Sequence, residues 1–103
     1  MIKRPKTPEA YVELVRQALF EVEELRYSVE FDMDSMSDAL GFLDELEAGV
    51  RNLWSSMESG SYQFDDSDLP FMALVERTPD RLLPFKYLLR QINATHRQGL
   101  DVE

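Results

Sequence analysis

The sequence predicts an all-α domain: a small helical bundle in which a long antiparallel helix hairpin is closed by a short third helix and a C-terminal amphipathic helix. Three observations predict it. No glycine or proline occurs between Pro8 and Gly41. Apolar residues recur at three- and four-residue spacing on both sides of an acidic reversal near Asp34. The only alternation available to pair with a strand is the short Ser61-Tyr-Gln-Phe64, and a two-stranded ribbon is marginal. With 103 residues the chain reads as one domain with a modest core, its residues 1–6 a flexible basic N-terminus and 100–103 a flexible tail.

The first helix starts at Thr7-Pro8-Glu9, where a hydroxyl accepts from free N–H groups, a proline needs none, and an acid meets the positive end of the dipole. Tyr11, Leu14, Val15, Ala18, Val22, Leu25 and Val29 then share one face. Residues 27–34 alternate as a strand would, with Tyr27, Val29, Phe31 and Met33 apolar, but the helical register runs through them. The helix is therefore extended to about Met33. Asp34 and Ser35 open a second helix, with Ser35-x-x-Asp38 close to a capping box.

That helix, through Met57, carries Met36, Leu40, Phe42, Leu43, Leu46, Val50, Leu53, Trp54 and Met57 on an arc of about 160°. An arc so wide needs two neighbours. Gly49 borders it and admits close approach of another helix, whereas Gly41 lies on the polar side. Ser59-Gly60 ends the helix, and a polar loop follows. Asp68-Leu-Pro-Phe71 reads as the start of a short helix to Arg77. Thr78-Pro79-Asp80 starts again, but Pro84 lies too deep for one helix, so a turn at 79–83 precedes a helix from Pro84 to Gln98, with Gly99 as its cap. In it Phe85, Leu88, Leu89 and Ile92 face the core, and Lys86, Arg90 and Arg97 form a basic stripe suited to the acidic helices.

Charge is uneven. The total is −9, yet residues 7–68 hold sixteen Asp or Glu against three Arg, and residues 69–103 hold five basic against four acidic residues. Such a field repels phosphates and attracts basic protein surfaces, so direct nucleic-acid binding is not expected. An acidic surface imitating nucleic-acid phosphates is one alternative function. The chain has no cysteine, which fits a reducing, cytoplasmic setting. No signal peptide or membrane span is expected, because Glu9, Glu13 and Arg16 interrupt any apolar run after the basic start.

No residue cluster names a reaction. His96, the only histidine, lies on the apolar face of the last helical turn and reads as a core-edge or dipole residue. Glu30-x-Asp32-x-Asp34 with Asp38 fails as a calcium loop, since Ser35 stands where the glycine belongs and Gly41 where the bidentate glutamate belongs. No catalytic residue, metal site or cofactor is expected in the favoured reading. That reading is a non-enzymatic protein–protein interaction or regulatory module, acting as a homodimer or toward a basic partner protein. Its candidate interaction residues are Phe20, Tyr27 and Phe31, an aromatic stripe nearly opposite the core face of the first helix.

The alternative of a different class rests on Glu21-x-x-Glu24 and Asp44-x-x-Glu47, two acidic i, i+3 pairs on antiparallel helices. On these four positions the layout is similar to that of all-α nucleotide pyrophosphatases of the MazG type. The second pair departs from the Glu-x-x-Asp order. The resemblance implies a magnesium-dependent nucleotide hydrolase with Glu21, Glu24, Asp44 and Glu47 as metal ligands.

Overall fold

A computed structural model describes residues 3–31 and 39–101, with the side chains of residues 29–31, 39, 40 and 81 outside the description. Helix α1, Pro8–Phe31, begins where its start signal predicts: Thr7 Oγ1 accepts the N–H of Ala10 at 3.1 Å. Residues 27–31 are helical. The reversal, its Ser35-x-x-Asp38 box and residues 32–34 lie outside the described residues. Helix α2 spans Ala39–Ser59, α3 Met72–Arg77 and α4 Lys86–Gln98, with a 3₁₀ turn at Asp80–Leu82 between the last two. Among the described residues there is no strand.

α1 packs along α2 and also touches α4, while α3 bridges α2 and α4. This arrangement explains the widths of the apolar arcs. On α1, Tyr11, Val15, Ala18 and Val22 are buried as their spacing predicts, and Leu19 joins them because α1 has two neighbours. On α2, Leu43, Leu46, Val50 and Leu53 are buried, and Phe42, Trp54 and Met57 pack against the core edge. Phe71, Val75, Leu83, Phe85, Leu89 and Ile92 close the other side.

Gly49 is the point of closest approach. A Cβ there would lie 2.9 Å from Phe71 Cδ2 and 3.1 Å from Phe71 Cβ. The missing side chain lets the Phe71 ring lie on the helix backbone, and that contact seats the segment leading into α3.

Asp68 does not cap α3. Phe71 occupies the cap position without a side-chain hydrogen bond. The Asp68 carboxylate instead accepts from Asn93 Nδ2 at 2.9 Å, and Asn93 Oδ1 accepts the N–H of Leu69 at 2.8 Å. One asparagine on α4 thus holds both the aspartate and the backbone of the segment that leads into α3.

Gly99 ends α4 at φ +84°, a conformation costly for other residues, and its N–H donates to the carbonyl of Thr95. The Arg4 guanidinium then donates to the carbonyls of Gln98 and Gly99, the latter at 2.8 Å, placing a cation on the negative end of the dipole. Gln91 donates to the carbonyl of Lys3, and the N–H of Asp101 to that of Pro5. Residues 3–5, expected from the sequence to belong to a flexible terminus, are tied to the end of α4. Among the described residues no helix is long and apolar enough to cross a membrane.

Candidate functional site

The outward stripe of α1 follows from helical geometry. With Val15 and Val22 in the core, Phe20 and Tyr27 project roughly 120–160° away from them at ~100° per residue. Neither ring is covered by another part of the described chain: Phe20 is 58% exposed and Tyr27 66%. Phe31 is the last residue of α1, and its side chain lies outside the described residues. Beside the two rings on α1, Glu13, Arg16, Glu23 and Glu24 are exposed. Arg16 is bonded to Glu13 at 2.5 Å.

The four carboxylates of the resemblance are arranged differently. Arg26 reaches from α1 to α2 and donates to Asp44 at 2.7 Å and to Glu47 at 2.5 Å, while Arg51 donates to the other Glu47 oxygen at 2.7 Å. The arginines, Arg51 before Arg26, hold the Glu47 carboxyl below its ordinary value. Glu24 is exposed and Glu21 half-buried. Among the described residues no three His, Asp or Glu side chains form a group able to hold a metal ion, these four included. The Arg26 guanidinium occupies the two carboxylates that α2 would contribute to such a site.

His96 is buried and has a partner that its spacing did not disclose. Tyr62, from the loop after α2, places its hydroxyl 2.7 Å from His96 Nδ1 and 2.9 Å from the hydroxyl of Tyr11. The Tyr11 hydroxyl donates to the carbonyl of Ile92 at 3.1 Å. Burial pushes the Tyr11 phenol well above its ordinary value and also raises Tyr62. Phe64 stacks on Tyr11 with ring centres 5.9 Å apart. Beside these rings Val12, Met57 and Leu100 help to line a shallow apolar hollow of about 200 Å³. The Tyr11 and Tyr62 hydroxyls are spent on each other and on α4, so this corner is a structural lock.

The basic stripe of α4 does not face the acidic hairpin. Lys86 is buried against Thr78 and Asp80, Arg90 pairs with Glu76 at 2.9 Å, and Arg97 reaches Asp68 at 3.3 Å. Its complements come from α3, the 3₁₀ turn and the preceding loop. The consequence for α1 is that its glutamates keep their charge uncompensated by α4's cations. Arg90, Asn93 and Arg97 also line a polar groove of about 330 Å³ between α3 and α4, in which both arginines are already paired.

Comparison with protein-family models, curated proteins and solved structures returns no match.

Proposed function

We propose that this chain is a non-enzymatic protein–protein interaction module that engages a second copy of itself or a basic partner protein through the outward face of α1. The observation that carries the reading is the pair Phe20 and Tyr27, two large aromatic rings left in solvent, seven residues apart, on a helix that buries Tyr11, Val15, Ala18, Leu19 and Val22. Exposed aromatic surface of this kind is enriched where proteins meet. The chemistry-bearing groups elsewhere support it: the His96 imidazole and both tyrosine hydroxyls are engaged within the fold, and Asp44 and Glu47 are held by Arg26. The cytoplasm is the proposed setting, on the absence of cysteine.

Site-specific photo-crosslinking tests it. Benzoylphenylalanine in place of Phe20 or Tyr27 should capture a defined band in cells, whether a dimer or a heterologous adduct, and the same probe at exposed Glu58 on α2 should not. Equal crosslinking from all three positions, or none from the first two, would remove the interface.

A further inference from the structure

We infer that the outward face of α1 takes a basic amphipathic helix of a partner protein, with that helix's apolar side chains on Phe20 and Tyr27 and its lysines or arginines on the neighbouring glutamates. The inference rests on the interaction reading above and adds the partner's chemistry.

Charge decides between a foreign helix and a second copy. The exposed charged groups beside the rings on α1 are Glu13, Glu23 and Glu24, with Arg16 as the one cation among them. That cation is committed to Glu13 on the same face. A second copy would set this surplus against itself, between chains that each carry −9, and like charges brought together cost association free energy. A basic helix meets the same carboxylates with the opposite sign. The cations of α4 are taken up by Glu76, Asp80 and Asp68, which leaves the α1 glutamates available to an outside partner.

Spacing supplies the second constraint. Phe20 and Tyr27 lie seven residues apart on one helix, about 10.5 Å along its axis at 1.5 Å per residue. A helix packed alongside presents apolar residues at the same seven-residue interval on a single face, which is how helical ligands are read. An acidic rim around an apolar centre also has the anatomy of a transient interface, with aromatic rings in the middle and charge at the edge.

The test uses the full chain and three fluorescein-labelled synthetic peptides. One is helical with leucines on one face and lysines on the other, one has the leucines replaced by serine, and one has the lysines replaced by glutamate. By fluorescence anisotropy the leucine–lysine peptide should bind, and the other two about tenfold or more weaker. Phe20→Ser with Tyr27→Ser should weaken the first complex by about tenfold or more, because both anchors are lost. Glu23→Gln with Glu24→Gln should weaken it several-fold and flatten its salt dependence. Circular dichroism and Trp54 fluorescence verify that each variant is folded.

Undiminished binding by the serine variant would mean attraction by charge alone and would overturn the inference. A dimer of the free protein in sedimentation velocity, lost in the serine variant, would also overturn it while leaving the interaction reading intact. No peptide binding together with no position-specific crosslink would remove both.

Discussion

The Tyr62 hydroxyl lies 2.7 Å from Nδ1 of His96 and 2.9 Å from the Tyr11 hydroxyl, and the bond from Tyr11 to the carbonyl of Ile92 sets the direction of the hydrogen-bond chain they form across the bundle. Each phenol has one proton to donate. Tyr11 gives its own to the carbonyl of Ile92, so the proton between the two tyrosines belongs to Tyr62. His96 must then donate from Nδ1, which assigns the tautomer and leaves Nε2 as the site of protonation. Ring ¹⁵N shifts at neutral pH should show Nδ1–H. Tyr62→Phe should cost about 1–3 kcal/mol in urea unfolding, since the buried Nδ1–H loses its acceptor.

His96 should make stability fall in mild acid. Burial pushes the imidazole below its ordinary value, with Asp65 opposing, so the folded state prefers the neutral ring. The unfolded chain takes up a proton first as pH drops. Full stability is therefore present above the unfolded value of about 6.5 and is lost as pH falls from there through the lower folded value. His96→Asn keeps a donor near the Nδ1 position and abolishes the titration. Its stability, followed by urea unfolding between pH 7 and 5, should show a flatter pH slope than the wild type.

Two glycines in α2 should respond to alanine with opposite signs. At Gly41 a Cβ meets nothing within 4 Å, so Gly41→Ala should stabilise by about 0.5–1 kcal/mol through helix propensity alone. At Gly49 the same change drives a methyl into the ring of Phe71, which is itself buried. Overpacking of about 1–3 kcal/mol outweighs the propensity gain, and the variant should lose stability. Phe71→Leu in the Gly49→Ala background should recover part of the loss. A double-mutant cycle that shows no coupling would separate the two residues.

The features legible in the sequence were those decided by neighbours in the chain. The start of α1 at Thr7-Pro8, the end of α4 at Gly99 and the buried register of Val15, Val22, Leu43, Leu46 and Val50 all follow from local chemistry and periodicity. The breadth of the α2 arc and the place of Gly49 implied a second neighbour, and Phe71 is that neighbour. What was illegible depends on placement in space. Tyr62 and His96 are 34 residues apart, and nothing in either segment marks the other as a partner. Asp68 had the chemistry of a cap, but Asn93 came close enough to claim it. Arg26 gave no signal that it would cross to Asp44 and Glu47. The exposure of Phe20 and Tyr27 turns on where α4 lies against α1, which periodicity leaves open.

Arg26 should prove the main polar clasp of the hairpin. Its side chain is 25% exposed and that of Glu47 20%, so solvent screens the contact only in part. Arg26→Met keeps the stem and removes the charge, and should cost about 1–2 kcal/mol, between the values of exposed and buried pairs. The loss should narrow in acid. Glu47 is held below its ordinary value by Arg51 and Arg26, so its contribution is present above the unfolded value of about 4.5 and vanishes as pH falls through the folded one. Comparing wild type and variant by urea unfolding at pH 7 and pH 3.5 checks both statements.

Lys86 should matter more as a hydrogen-bond donor than as half of an ion pair. Its ammonium donates to the carbonyl of Thr78 at 2.5 Å and lies 2.8 Å from Asp80 Oδ1. Thr78 is buried, with its own hydroxyl turned back to the carbonyl of Leu74. The end of α3 and the first turn of α4 thus meet at one carbonyl, to which Lys86 donates. Lys86→Met preserves the buried stem but orphans that carbonyl, and should cost about 1–3 kcal/mol. Asp80→Asn removes a carboxylate that stands in solvent, where water replaces the lysine without penalty, and should leave the urea midpoint nearly unchanged. Equal losses in the two variants would shift the weight to the ion pair.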